Sequence, residues 1–363
     1  MKTFKLFKLI FFYINIFFAG VLLLSYLSPY VSPNDFWPLA FLALAYPFLA
    51  PINILFILAW IVMLNIRFTL SLTVLLIGSN HVVHYIQFNA KRTEKKPSMI
   101  NVVQFNTHFM GAFDKKNNDT LLFFNTLKEI DPDIICFQEF ANQSGSFDHR
   151  MFVKFFQKYQ HFYSVNADKY SEVYPTGYGV CIFSKYPVVQ HGFLEQVNRS
   201  ANLSLYADVD VNGQIIRVVN THLRSISFQP EDYIAVEGLK EKKASISSMK
   251  MVASKMRYAF ERRAKQAEAL RQKLNQSPYP LIVCGDFNDS PTSYAYTTVK
   301  GDLKDAFRQS GIGMSRTYIG RMPSFRIDYI LHDNKFKSYN YRTHELNFSD
   351  HKMICCTIDL ATF

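Results

Sequence analysis

The chain is 363 residues long, 49% hydrophobic, and carries a formal net charge of +11 with a pI near 9.2. Five cysteines are an odd number, and Cys136, Cys181 and Cys284 fall in apolar runs, so they read as buried thiols and argue against a disulfide framework. No internal period supports a solenoid, and most of the charge lies beyond residue 90, where the remaining chain is long enough to bury a full core.

Residues 9–27 are almost uninterrupted Leu, Ile, Phe and Val. At about 1.5 Å per residue they are long enough to cross a hydrocarbon core of about 30 Å. A second apolar stretch, residues 36–64, contains Pro38, Pro47 and Pro51, which predicts a tilted or kinked span. A third, residues 68–88, follows Arg67 and predicts a third membrane helix. Lys2, Lys5 and Lys8 resemble the start of a signal peptide, but no small-residue cleavage pattern follows and further apolar stretches do. Residues 1–90 therefore read as a transmembrane region and 91–98, with Lys91, Arg92, Lys95 and Lys96, as a basic linker. Its plain reading is a topology determinant or a contact to anionic headgroups.

From residue 99 to 363 strands alternate with a few helices. Strands are predicted over 99–105, 133–137, 179–183, 203–211, 214–219, 281–284, 327–331 and 353–360. Asn212-Gly213 between two alternating runs signals a tight hairpin. Helical spacing appears over 119–130 and 254–274, the latter with Met256, Phe260, Ala264, Ala267 and Leu270 as a buried stripe. Residues 224–254 read as a flap facing substrate or membrane.

Short polar motifs end several of these runs: Gln104-Phe105-Asn106, Gln138-Glu139, Asn220-Thr221-His222, Gly285-Asp286-Phe287-Asn288, Arg326-Ile327-Asp328-Tyr329 and Ser349-Asp350-His351. An acidic residue after one strand is often only a turn or a cap. Together, in this order, they resemble the endonuclease/exonuclease/phosphatase superfamily of DNase I-like metal-dependent phosphoesterases, over residues 99–363. The resemblance implies an α/β (α+β) four-layer αββα sandwich. It also implies Mg²⁺, with Mn²⁺ as the alternative, held by Glu139 with Asn106 beside it and Asp350 in or near the metal shell. His351 is then the group beside the scissile phosphate, oriented by Asp328, because an aspartate on one ring nitrogen fixes the tautomer and raises the basicity of the other. Asp286 positions the nucleophile or leaving group, Asn288 binds phosphate or reactive water, and the choice of base between His351 and Asp286 stays open. His222 in Asn-Thr-His-Leu resembles the DNase I, sphingomyelinase and inositol-phosphatase side of the superfamily, donating to a phosphoryl oxygen or to the leaving group. Tyr178 is a further candidate phosphate contact, or simply a core or rim tyrosine.

Other features take plainer readings. His81 and His84, three apart, have no third ligand nearby in sequence and read as interfacial histidines. The basic stretch 240–273 also carries Glu241, Glu261 and Glu268 and reads as a solvated helix face, not a nucleic-acid groove. The expectation is an integral membrane, metal-dependent phosphoesterase of a bacterial inner membrane, its catalytic part extracytoplasmic. Its partners are the bilayer and a phosphoester, a lipid headgroup first, and no obligate protein partner is evident. A nuclease acting on nucleic acid and a membrane scaffold without activity are the alternatives.

Overall fold

In a computed structural model of the chain, residues 2–88, 90–111, 120–141, 154–159, 161–166, 178–196, 202–226, 228–240, 245–321 and 325–361 are described. The chain begins with the helices α1 (Lys2–Ser25), α2 (Pro33–Phe36), α3 (Pro38–Val62), α4 (Phe68–Ile77) and α5 (Ser79–Val82). Two of them, α1 and α3, are long and apolar enough to cross a membrane. The expected third span is not a single helix. α4 has 10 residues, about 15 Å or half a hydrocarbon core. It stops at Gly78, where the Tyr26 ring packs so closely that a Cβ has no room. A buried polar relay joins α1, α3 and α4: Trp60 Nε1 donates to Asn15 Oδ1 (3.0 Å), Asn15 Nδ2 to Ser71 Oγ (2.6 Å), and Ser71 Oγ to Asn53 Oδ1 (2.8 Å). In an apolar surrounding such groups must find one another, so the relay fixes how the helices pair.

Among the described residues, twelve strands follow in two large sheets: β1 (Met99–Asn106), β2 (Ile134–Ala141), β3 (His161–Asn166), β4 (Tyr178–Ser184), β5 (Val188–Gln196), β6 (Leu203–Val211), β7 (Gln214–His222), β8 (Leu281–Asp286), β9 (Lys304–Asp305), β10 (Asp328–His332), β11 (Lys337–Glu345) and β12 (Lys352–Asp359). The orders are β11-β12-β1-β2-β4-β3 and β9-β10-β8-β7-β6-β5. β1 pairs with β2, and β7 with β8, in parallel; the other pairings in both sheets are antiparallel. The β6–β7 hairpin turns through Asn212 (φ 55°) and Gly213 (φ 91°), the left-handed pair that the Asn-Gly signal demands.

Further helices among the described residues include α6 (Thr120–Ile130), α7 (Pro230–Lys240), α8 (Ile246–Asn275), α9 (Tyr294–Lys300) and α10 (Ala306–Ser310). The strands are apolar on both faces because both faces are covered. Ile100, Val102, Ile134 and Cys136 meet Ala207, Val218, Ile282 and Ile330 between the sheets. Their sequence neighbours Val103, Phe105, Ile135 and Phe137 point outward to Phe123, Phe124 and Leu127 of α6. On the other outer face, Ala267, Leu270 and Leu274 of α8 cover Val219, Leu281 and Val283. Helix, sheet, sheet, helix is the four-layer sandwich. Of the expected helical stripe, Phe260, Ala264, Ala267 and Leu270 are buried, whereas Met256 is half-exposed. Residues 224–254 are largely helical, forming α7 and the first turns of α8, so the expected flap is an ordered pair of helix segments within the described residues. All five cysteines are buried and free.

The N-terminal helices are tied to the sandwich. Tyr85 Oη lies 2.8 Å from Thr292 Oγ1, Arg326 Nη2 donates to the His84 carbonyl (3.0 Å), and Gln87 and Phe88 pair with Gly313 and Ile312. Nor is 91–98 a free linker, since Lys95 Nζ meets Asp133 at 2.6 Å and the Lys91 carbonyl accepts from Asn340 N at 2.9 Å.

Candidate active site

Strand periodicity builds the site. Ile100 and Val102 point between the sheets, so Gln104 and Asn106 do too; by the same parity Cys136 leads to Gln138, Val218 to Asn220 and His222, Ile282 and Cys284 to Asp286, and Ile330 back to Asp328. The inner layer is thus apolar along most of its length and polar at one end. Glu139 is out of phase with Gln138 and should turn away. The β2–β4 pairing slips between Phe137 and Phe140, and Glu139 takes φ 47°, a bulge that turns its carboxylate back into the polar end.

There the groups converge. Asn106 Nδ2 lies 3.4 Å from Glu139 Oε1 and 3.0 Å from Asp286 Oδ2, and His222 Nε2 is 3.7 Å from each of the same carboxylate oxygens. His351 Nδ1 sits 2.9 Å from Asp328 Oδ2, which leaves its Nε2 facing Asp286 Oδ2 at 3.8 Å and Asp350 Oδ1 at 3.9 Å. Asp286, Asp328 and His351 offer ligand atoms within 4.8 Å of one another, and no other such cluster of three occurs among the described residues. Asp328 is already committed to His351 and to Gln104 Nε2 (3.0 Å), so it reads as the orienting partner of the histidine.

Burial sets the electrostatics. It pushes the Glu139 carboxyl up to about 7, with the charges of Asp350 and Asp286 adding to the effect, and the Asp286 carboxyl to about 7, with Asp328 adding. Burial also disfavours charge on His351, yet Asp328 and Asp286 hold its imidazole well above the ordinary range. His222 goes the other way: burial and the neighbouring His351 lower it to about 3, so it is neutral at pH 7, with both ring nitrogens buried and unpartnered. Crowded carboxylates that bind protons too tightly, beside an orphaned imidazole, are the donor set of a hard divalent cation and a phosphoryl oxygen.

Three supporting groups were not legible as such in the sequence. Gln104 Nε2 donates to Gln138 Oε1 (2.7 Å), Gln138 Nε2 to Asn220 Oδ1 (2.5 Å), and Asn220 Nδ2 to the Phe137 and Cys181 carbonyls (2.9 and 2.8 Å), a buried amide chain that stitches the two sheets under the site. Arg263 of α8 is fully buried; its Nη1 lies 2.7 Å from Asp289 Oδ2 and its Nε donates to the Arg224 carbonyl, fixing the loops after Asn288 and His222. Replacing Arg263 with alanine leaves the Asp289 carboxylate buried and unpaired, and chemical denaturation should record a loss of about 3–5 kcal/mol. Arg326 pairs with Asp305 at 2.7 Å, which anchors the strand carrying Asp328.

The remaining candidates fall as follows. Asn288, at φ 53°, turns its Nδ2 to the Leu223 carbonyl (3.1 Å), while Phe287 enters the core. Asp350 sits at the rim, 3.8 Å from His108 Nδ1. Tyr178 opens β4, and its side chain lies outside the described residues. His81 and His84 are packed: His81 against the rings of Tyr26 and Tyr46, and His84 Nε2 3.4 Å from Arg308 Nη1.

Residues 103–351 match the model of the endonuclease/exonuclease/phosphatase family. The chain belongs to that family. Its members hydrolyse phosphoester bonds and typically use divalent metals, and the carboxylate and histidine cluster described above lies within the matched residues. Residues 7–85 match a separate domain family of unknown function, and no curated protein matches the chain. Among solved structures it is similar to a humanized TDP2 of D. rerio (TM-score 0.50, 15% identity, 72% of this chain and 99% of that one) and to the human Nocturnin catalytic domain with bound sulfate (TM-score 0.50, 20% identity, 72% and 93%). The mannosyl-6-phosphatase Bt3783 of Bacteroides thetaiotaomicron also matches, at TM-score 0.47, 13% identity and coverage of 71% and 99%. At these identities the first two likenesses show the fold alone.

Proposed function

We propose that the chain is a membrane-anchored, Mg²⁺-dependent phosphoesterase whose substrate is a lipid phosphoester. The observation that carries the chemistry is the convergence of Glu139 and Asp286 on His222 Nε2 at 3.7 Å, opposite a His351 held by Asp328. A scaffold without activity needs no such set of charged and orphaned groups in one buried place. Glu139, Asn106 and Asp286 are the residues that would hold the ion, which when bound supplies charge neutralisation to the phosphoryl group. Asp286 faces both imidazoles and is our candidate to take a proton from attacking water, while His351, kept protonated by Asp328 and Asp286, supplies positive charge to the phosphoryl group or a proton to the leaving oxygen. Neutral His222 donates a hydrogen bond to a phosphoryl oxygen or to the leaving group.

Anchoring supports the lipid class. Arg67 Nη1 donates to the Lys8 carbonyl (3.3 Å), so Arg67 and the lysines of α1 share one end of the helical unit, whereas Ser32, Asn34 and His84 at the other end touch the sandwich. A cytoplasmic basic end then places the catalytic part outside. A site tethered this close meets membrane substrate at an effective concentration of about millimolar.

The test is full-length protein in liposomes with Mg²⁺, offered lipid phosphoesters and plasmid DNA. Metal-dependent headgroup release is expected. Plasmid nicking without headgroup release would replace this reading by the nuclease one, and no turnover of either would leave the scaffold.

Metal binding has its own signature. In the fold, Glu139 and Asp286 hold protons up to about 7, above their unfolded values, and His351 holds its proton well above its ordinary range. Such groups stabilise the metal-free fold at low pH, and that contribution is lost as pH rises through the folded values. Protons compete with the ion for the same oxygens, so the gain in melting temperature on adding Mg²⁺ should be small at pH 5 and large at pH 8. An equal gain at both would reject the carboxylates as its site.

A further inference from the structure

α8 has 30 residues, about 45 Å, far more than the six-residue strand β8 beside it requires. Only its C-terminal half, with Ala267, Leu270 and Leu274, packs on the sheet. Its middle is gripped by the end of the helical unit nearest the sandwich. Asn34 Nδ2 donates to the Glu261 carbonyl (3.2 Å), Ser32 Oγ lies 3.5 Å from Glu268 Oε1, and the Arg257 guanidinium stands 5.3 Å over the Trp37 ring. Arg257, Glu261, Ala264 and Glu268 are spaced three and four apart and form one row along the helix. Toward the N-terminus that row continues through Ala253, Lys250 and Ile246, where it overhangs. Ile246 is 74% exposed and Met249, beside it, 44%.

The opposite side of this half of α8 is taken: Lys255, about 200° around from Arg257, pairs with Asp232 of α7. The N-terminal part of the row therefore faces away from the sandwich, on the same side as α2 and Trp37. That neighbourhood already has the composition of a bilayer boundary, with Tyr30 70% and Phe36 54% exposed at the ends of two apolar helices.

We propose that the row Ile246–Lys250–Ala253–Arg257 rests on the bilayer surface, with Ile246 and Met249 in the acyl boundary, Lys250 on lipid phosphates, and Arg257, paired with Glu261 at 2.7 Å, where the row meets α2. The inference rests on the reading that α1 and α3 span a bilayer. An apolar edge flanked by basic residues suits the headgroup boundary, where such helices sink about 5–10 Å. The ledge also connects to chemistry. α7, packed on its back, carries Tyr233, over which the Arg321 guanidinium stands at 5.3 Å; Tyr318, on the same loop as Arg321, packs edge-on to His351 at 5.4 Å. A bilayer held by this row lies against the helix pair whose α7 reaches His351 through Tyr233, Arg321 and Tyr318.

All five native thiols are buried, so a single added cysteine can carry an environment-sensitive fluorophore in the full-length protein. The variants are Ile246→Cys on the ledge, Leu55→Cys in α3, 64% exposed, and Leu121→Cys on α6, 62% exposed and in the far helix layer. In liposomes containing phosphatidylglycerol, labels at 246 and 55 should emit to the blue and lose intensity to brominated lipid, shallow bromines acting at 246 and deep ones at 55, while the label at 121 stays aqueous. An aqueous 246 with a quenched 55 overturns the ledge and leaves the anchor standing. Aqueous signals at both overturn the anchor as well. A blue shift at 246 that follows the protein-to-lipid ratio assigns the face to a second copy of the chain and likewise overturns the proposal.

Discussion

Replacing Glu139 with glutamine is expected to leave the protein folded and to lower Mg²⁺-dependent turnover by about 10²-fold or more, the loss that several kcal/mol of transition-state charge stabilisation implies. The side chain hardly changes in volume, and its two close neighbours, Asn106 Nδ2 at 3.4 Å and His222 Nε2 at 3.7 Å, tolerate a neutral carbonyl. What disappears is an anionic oxygen for a hard cation. Stability gives an independent readout. Burial, with the charges of Asp350 and Asp286 adding to it, pushes the Glu139 carboxyl up to about 7. Above pH 7 the metal-free variant should therefore melt no lower than the parent, and the Mg²⁺-induced gain in melting temperature should shrink. Near-normal turnover at moderate Mg²⁺, with an unchanged thermal gain, would exclude Glu139 from the ion.

His351→Ala should cost about 10² to 10⁴ in rate on every substrate, the usual worth of a positioned acid or base. Asp328→Asn should approach the same loss without touching the reacting atoms. The aspartate holds His351 Nδ1 at 2.9 Å and is itself held by Gln104 Nε2 at 3.0 Å, so the amide removes the charge that keeps the imidazole protonated and disturbs the tautomer. The pH–rate profile separates the two roles: in Asp328→Asn the limb belonging to His351 should move to lower pH, whereas in His351→Ala it should vanish. His222→Ala supplies the contrast, because a neutral donor to the leaving oxygen matters least when the leaving group needs no proton. Equal losses on natural and activated aryl phosphodiesters would reject that role for His222 and leave charge stabilisation.

Much of this site was readable from strand parity. An apolar run with a polar residue two steps beyond its last inward position, at Gln104, Gln138, Asn220 and Asp286, or two steps before its first, at Asp328, already says that one end of an inter-sheet layer is polar. The two faces of β1 and β2, both apolar, likewise announce a strand covered on both sides. Glu139 breaks the parity, since only the slip between Phe137 and Phe140 turns it inward, and a bulge leaves no mark in side-chain chemistry. The same limit hid the strand Val188–Gln196, whose exposed edge residues blur its alternation.

The sequence by itself determined the local terms: two helices apolar enough for a bilayer, the Asn212-Gly213 turn, the strand runs, and the residue types that meet a phosphoester and a hard cation. Those follow from period, length and side-chain chemistry, which act over a few residues. Only the tertiary structure decided that Gln138 meets Asn220 across 82 positions, that Arg263 closes on Asp289, that Gly78 under the Tyr26 ring ends the third apolar helix early, and that Arg326 is tied to the His84 carbonyl of the N-terminal helical unit. Each of these is a pairing of buried polar or tightly packed groups between distant segments. Their partners are set by which sheet lies over which, because an unpaired polar group in that interior costs more than any local preference can return.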